Sequence, residues 1–370
     1  MTDNRITKFA QILVDYSTQV KPGDVVTIAT TSTASEPLVR ELFTLVLDRG
    51  GHPNILMDVM DYEELLLNHA RDEQLESAPL LHKAAFEQSD VLIKVRAATN
   101  TRALTHLPVQ RKAARQKGLG QLVATQMKRG ASGDLRWMST IFPTSAYAME
   151  AEMATEDYQD FFFRACHATP DTPDPVAHWL SVRDEQQSYL ERLQGHDQIE
   201  IRGPAVELVL SVKGRKFNNS CGIHNLPDGE VYTGPVEESI NGWVRYSYPS
   251  IYQGNLVQGV ELNFKDGKVI KATADKNQDF LSLMLETDPG ARYVGEFAIG
   301  LNYQIDRFTG DILLDEKIGG SFHTALGAGY PETGSLNKSA IHWDMICDLR
   351  QDSEILVDGE VAYRNGRFIP

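Results

Sequence analysis

Cysteine is scarce in this chain: three in 370 residues, Cys166, Cys221 and Cys347, far apart and without CxxC spacing. That fits reduced thiols in a cytoplasmic protein better than a disulfide framework, and on that expectation the sequons at Asn218 and Asn337 carry no glycosylation. Long apolar runs are missing too. Nothing approaches the roughly 20 residues of a membrane span, and the polar start Met1-Thr2-Asp3-Asn4-Arg5 leads into an amphipathic pattern, not a signal-peptide core. No membrane partner is therefore expected. Positive charge is the third deficit. With 36 Lys and Arg against 51 Asp and Glu the formal charge is −15, and no basic block is available to follow a phosphate backbone, which argues against nucleic acid as a partner.

What is present divides into two grammars. In the first half, Ile6, Phe9, Leu13, Tyr16 and Val20 recur at helical spacing until Lys21-Pro22-Gly23 stops them, and the apolar segment 25–29 reads as a strand. Ser35 stands where an N-cap would, with Pro37 in the first turn of a helix that carries Leu38, Leu42, Leu45 and Val46 and ends at Gly50-Gly51. Strands at 55–57 and 91–95 continue an alternation that predicts an α/β layer with a largely parallel sheet. Residues 145–193 read as a helical bridge broken by Pro170, Pro173 and Pro175. Period-two patterns then take over at 206–212 and 260–264, and Asp266-Gly267, Asp358-Gly359 and Asn365-Gly366 are hairpin turn signals. One helix is expected near 278–285. The expected organisation is an N-terminal α/β domain with its bridge, 1–195, and a β-rich α+β catalytic domain, 196–370.

The chemistry gathers in that second half. His342-Trp343-Asp344 lies in a segment that reads as extended, where side chains alternate, so His342 and Asp344 share a face while Trp343 points to the other and packs. Upstream stand Glu230, Glu296 and His323. Three carboxylates and two imidazoles suit two divalent cations, because three negative ligands and a bridging hydroxide balance four positive charges. If one carboxylate bridges, five residues provide six attachments, and open positions remain for water and substrate. Bland alternatives exist for each. Glu230 follows the turn Pro227-Asp228-Gly229 and reads equally as a surface carboxylate, and His323 as a satisfied core histidine. His323, His342 and Asp344 alone would form a two-histidine, one-carboxylate triad for iron(II).

The run 225–235, Asn-Leu-Pro-Asp-Gly-Glu-Val-Tyr-Thr-Gly-Pro, resembles the first signature of the M29 metallo-aminopeptidases, the aminopeptidase T group. The blocks 295–300 (Gly-Glu-Phe-Ala-Ile-Gly), Asp315-Glu316-Lys317 with 320–327, and 337–344 follow in that family's order and spacing, with weaker likeness at 142–144, 148–153 and Asp174-Pro175. The resemblance implies a pair of divalent metals held by Glu230, Glu296, His323, His342 and Asp344, with Tyr330 as a catalytic tyrosine; a mixed carboxylate and imidazole site of this kind admits zinc, cobalt or manganese. It also implies an N-terminal α/β and a C-terminal α+β catalytic domain, and a homodimer whose enclosed active sites admit only short peptides. His224, just before the first signature, departs from the pattern and reads as a turn residue.

The expected activity is removal of N-terminal residues by a two-metal activated water. The free α-amine is held at one metal, the scissile carbonyl is polarised by the other, and Tyr330 helps to stabilise the oxyanion. Tyr330 also reads as a packed aromatic beside Gly327 and Gly329, and Glu316 as a proton shuttle or, the favoured reading, a surface charge in a solvated acidic turn. Two rivals are carried: a mononuclear iron(II) ring-cleaving dioxygenase of the same fold, which has no need of Glu230 and Glu296, and an inactive peptide-binding protein.

Overall fold

The computed structural model describes residues 3–370; the first two residues of the polar start lie outside it. The chain forms two compact units. The first runs to Leu180 and takes in Gly222–Pro227, and the second comprises Ser181–Cys221 and Asp228–Pro370. The change of sequence pattern near residue 195 thus falls inside the second unit, after the helix Pro175–Glu191. No helix among the described residues is long and apolar enough to cross a membrane.

The first unit is built on a five-stranded parallel sheet in the order His52–Met57, Val25–Thr30, Val91–Arg96, Arg136–Ile141, Asn225–Leu226. Its inner strands are apolar on both faces, with Val26, Ile28, Val91, Leu92 and Ile93 fully buried, as a parallel sheet covered on both sides requires. The strand expected at 55–57 begins earlier, at His52, because its pairing with the neighbour starts at Val25↔His52. Pro53 is tolerated there since this strand is the sheet's edge.

Two local expectations are corrected. The first helix, Asn4–Gln11, widens into a π-helical turn over Ile12–Ser17 and stops before Val20, with the Thr18 amide reaching back to the Leu13 carbonyl and Gln19 in a left-handed conformation. Ser35 does occupy the N-cap position of the helix Glu36–Asp48, but its hydroxyl bonds Thr30 Oγ1 (2.6 Å) and the Ser32 carbonyl (3.1 Å), leaving the helix amides uncapped by it.

The second unit pairs two antiparallel sheets over one apolar core. The larger has eight strands, in the order 268–273, 261–265, 241–245, 206–211, 198–203, 354–357, 360–364, 367–368. At each of the three turns foreseen as hairpins both central residues have positive φ (Asp266 47° and Gly267 78°, for instance), the geometry that lets a two-residue loop follow the strand twist. The helix Gln278–Leu285 buries Leu281 and Leu285 in this core. The second sheet carries the candidate site. Its order is His342–Asp348, Ser321–Gly327, Val294–Gly300, Glu230–Thr233, Asn218–Ser220, all antiparallel.

Candidate metal centre

Register decides which side chains meet. Residues paired across antiparallel strands share a face, and the pairs Gly300↔Glu230, Ala298↔His323, Glu296↔Ala325, Ala325↔Asp344 and Gly327↔His342 put all five candidate ligands on one face. The residues between them, Ala298, Gly300, Ala325 and Gly327, are small and leave room over the sheet. The other face carries Val231, Phe297, Ile299, Phe322, Leu326, Trp343 and Met345 into the core. Trp343 therefore packs, as its alternation implied: it stacks on Tyr252 with centroids 5.3 Å apart and donates its indole N–H to Ser250 Oγ (2.6 Å).

A bulge is needed to bring Glu296 to this face. Val294 pairs with Leu326 on the core side, and the register slips before Glu296, so that Gly295 is the extra residue. A Cβ on Gly295 would stand 2.3 Å from the Gly327 carbonyl oxygen, so only glycine fits where the backbones approach this closely.

The five side chains converge. His323 Nε2 lies 3.6 Å from Glu230 Oε2, 3.9 Å from Glu296 Oε1 and 4.0 Å from Asp344 Oδ1. His342 Nε2 lies 3.2 Å from Glu296 Oε2 and 3.6 Å from Asp344 Oδ1. Glu296 thus turns one oxygen toward each imidazole. His342 is oriented by its other nitrogen, Nδ1, 2.8 Å from the Ala328 carbonyl, which directs Nε2 inward.

Burial makes this arrangement costly without a cation. Glu230, Glu296, His323 and Asp344 are all buried, and Glu230 Oε2, Asp344 Oδ1 and His323 Nδ1 have no hydrogen-bond partner. Orphaned carboxylate oxygens gathered around imidazole nitrogens fit divalent metal ions, whose positive charge supplies what the protein withholds. Glu296, His323 and Asp344 alone bring a ligand atom each to within 4.8 Å of one another.

Without a metal, the protons record the strain. Burial pushes the Glu230 carboxyl up to about 8 against the pull of Lys317, and burial raises Asp344 as well. Burial would also raise Glu296, but His323 and His342 overcome it and hold this carboxyl near 2. The imidazoles are disfavoured as cations by burial, yet Glu296 and Glu230 bring His323 up to about 9, and Asp344 and Glu296 bring His342 up to about 10.

Two readings of the sequence fail here. Glu230 is no surface carboxylate, and Asp315-Glu316-Lys317 is no solvated turn. Asp315 and Lys317 are each 1 % exposed. The Asp315 carboxylate accepts from Thr309 N (2.7 Å), Thr309 Oγ1 (2.8 Å) and Gly310 N (2.9 Å), anchoring the short helix Ile312–Asp315. From its end Lys317 Nζ reaches Glu230 Oε1 at 2.5 Å and Glu316 Oε1 at 2.6 Å, with Asp228 Oδ1 at 3.8 Å. Burial works against this ammonium, but Glu230, Glu316 and Asp228 keep it well above the ordinary lysine range and therefore charged. Lys317 is the member of the centre that sequence reasoning passed over. Its only signal was a place inside a motif block, since nothing local shows that a lysine beside two acids is buried.

Tyr330 stands next to the centre, its ring 5.2 Å from the His342 ring and 5.5 Å from that of Tyr232. Desolvation together with Glu296, Asp344 and Glu316 keeps its hydroxyl well above the usual phenol range, and so protonated. His224 lies in the first unit, stacked on Trp137 at 4.3 Å with its Nδ1 3.1 Å from the Trp137 carbonyl, which accounts for it as a packing residue.

The family model described as thermophilic metalloprotease (M29) matches residues 2–368. The chain belongs to the M29 peptidase family. Among curated relatives, Aminopeptidase 2 of Geobacillus stearothermophilus is 26 % identical over 99 % of this chain and 98 % of its own length. Aminopeptidase T of Thermus thermophilus is 29 % identical over 63 % of this chain and 61 % of its own. The solved structure of wild-type AmpT from Thermus thermophilus shares the fold with a TM-score of 0.86 over 99 % of both chains, at 23 % identity. A 2,5-dihydroxypyridine dioxygenase from Pseudomonas putida KT2440 shares it more distantly, with a TM-score of 0.60 and 13 % identity over 100 % of this chain and 98 % of its own. The mixed α/β architecture expected from the sequence is thus the architecture of an M29 metallopeptidase.

Proposed function

We propose that this M29 peptidase is an aminopeptidase that removes N-terminal residues from short peptides, with two divalent cations held by Glu230, Glu296, His323, His342 and Asp344. The observation that carries the reading is Glu296, which offers one oxygen on the His323 side and the other on the His342 side of a single buried cluster. A lone cation needs no such shared carboxylate. Glu296 would accordingly be shared by the two cations, beside Glu230, His323, His342 and Asp344.

Divalent cations bound there supply Lewis acidity toward the scissile carbonyl and bring the pKa of water near neutrality. The chain's own residues prepare the rest. Lys317 occupies one oxygen of Glu230 and leaves the other for the centre. Small residues under the ligands keep the space clear, and burial of the ligands excludes water and so lowers the effective dielectric in which charges act. The protonated Tyr330 hydroxyl can donate a hydrogen bond to negative charge developing on the carbonyl oxygen.

The test is hydrolysis of aminoacyl p-nitroanilides by the purified protein, with metal analysis in parallel. Activity abolished by chelator and restored by zinc, cobalt or manganese supports the reading. One iron per chain, with no stimulation by those metals, would overturn it in favour of oxygen chemistry, the activity named for the distant dioxygenase relative. Two metals without turnover on any aminoacyl or peptide substrate would leave a binding protein. The homodimer that the family resemblance implies belongs to the same proposal, and light scattering checks it.

A further inference from the structure

A substrate whose free amine and adjacent carbonyl are both held at the centre has a single atom between those groups, its first Cα. The first side chain therefore starts against the ligand cluster, and a cavity that borders a ligand is where it goes. Such a cavity lies in the second unit. Asp344 stands in its wall, and Pro249, Ile251, Phe308, Ile312 and Ile346 give it apolar sides. Ile346 follows Asp344 on the same face of its strand, roughly 7 Å further on, and pairs in register with His323. The cavity thus adjoins two of the five ligand positions.

Both walls are pinned by buried hydrogen bonds. Ser250 Oγ donates to the Asp344 carbonyl (2.8 Å) and accepts from the Trp343 indole (2.6 Å), which ties the segment 249–251 to the ligand strand. The Asp315 carboxylate, also in the lining, holds Thr309 and Gly310 and with them the turn between Phe308 and Ile312. The polar side chains of the lining are therefore committed, Ser250 and Asp315 within the protein and Asp344 to the centre. A charged or polar substrate side chain entering here would lose its water without compensation, whereas an apolar one would not.

Size is limited as well. The cavity holds about 20 Å³, room for one water molecule or one methyl group. Ile346 is 2 % exposed and closes it at depth, while Ile312 is 43 % exposed and stands at the mouth.

We infer that this slot receives the side chain of the substrate's N-terminal residue and selects a small apolar one, alanine before leucine and either before lysine, with Ile312 setting the size limit. The inference rests on the aminopeptidase reading and adds to it the class of residue removed.

The experiment measures kcat/KM of metal-loaded wild type, Ile312→Ala and Phe308→Ala on the p-nitroanilides of alanine, leucine and lysine. Calorimetric binding of free L-alanine and L-leucine, metal content and thermal melting accompany it. Wild type should favour alanine over leucine by about tenfold or more, the discrimination that a methylene makes in a tight apolar pocket, with lysine the poorest substrate. Ile312→Ala should raise leucine relative to alanine by a similar factor, in kcat/KM and in binding of the free amino acids, with metal content unchanged. Phe308→Ala widens the slot at a second wall and should act in the same direction, which decides the matter should the first variant fail to fold.

A leucine-to-alanine ratio that moves by less than about twofold in both variants overturns the inference, since removing a wall must relax a size limit. So does a wild type that prefers lysine, or a changed ratio accompanied by lost metal, which would mean that the substitutions act through the centre. Wild type without chelator-sensitive activity on any substrate of the panel would instead sink the aminopeptidase reading itself.

Discussion

Replacing Lys317 with methionine tests the electrostatic design of the centre. The substitution keeps a long unbranched side chain but removes the lysine ammonium bonded to Glu230 and Glu316. Breaking a buried ion pair by removing one partner costs about 3–5 kcal/mol, because a buried charge is left uncompensated. The lower end, about 3 kcal/mol, applies here. Burial pushes Glu230 up to about 8 even with the ammonium beside it, so near neutral pH this carboxyl already carries a proton much of the time and less charge is left uncompensated when Lys317 is removed. At roughly 2–4 °C per kcal/mol for a unit of this size, the melting temperature should fall by roughly 6–12 °C in the presence of chelator. A divalent cation beside Glu230 restores counter-charge, so the gap to wild type should narrow once both proteins are loaded with metal. Denaturant titration and thermal melts, each with and without metal, measure both quantities. A cost below about 1 kcal/mol without metal, the size of an ordinary surface substitution, would refute the claim that Lys317 is a buried counter-charge.

Other outcomes follow from the same geometry. Glu296→Ala, which removes oxygens facing both imidazoles, should abolish binding of both metals, whereas His342→Ala should retain one; equal losses by equilibrium dialysis would remove Glu296 from its bridging role. Metal binding should release protons, because His323 and His342 titrate near 9 and 10 without metal; calorimetry in buffers of different ionisation enthalpy reads this, and zero release at pH 7 contradicts it. The sign for stability is opposite. Raised imidazole pKa values stabilise the metal-free fold fully below the unfolded value of about 6.5 and progressively less as pH rises through 9 to 10, so chelated protein should lose stability over that window while metal affinity increases. Trp343→Ala should cost about 3–5 kcal/mol through lost packing on Tyr252 and Phe280, with bound metal retained below the unfolding transition; loss of metal from folded protein would give Trp343 a role in the site.

Much of this was readable locally. Period-two alternation in the second half, positive-φ turn pairs such as Asp266-Gly267, and the same-face relation of His342 and Asp344 depend only on neighbouring residues, so chain order suffices to see them. The ligand residue types are likewise in the sequence, and so is the placement of Trp343 on the packing face. Ser35 does not cap its helix because Thr30 and the Ser32 carbonyl compete for its hydroxyl, and neither contact is visible in the local pattern.

Tertiary structure decided the rest, since burial and register involve partners distant in the chain. The slip at Gly295 turns Glu296 onto the ligand face, and it arises from a close approach to Gly327 that no pattern around Glu296 reveals. Whether Glu230 follows a turn into solvent or into a buried cluster depends on Lys317 arriving from another loop, at 2.5 Å. The sequence alone named the donors and the faces they occupy, because alternation is a property of one strand. Which donors share a cation, and which charge holds them in place, is a property of how several strands pair, and only the folded chain determines it.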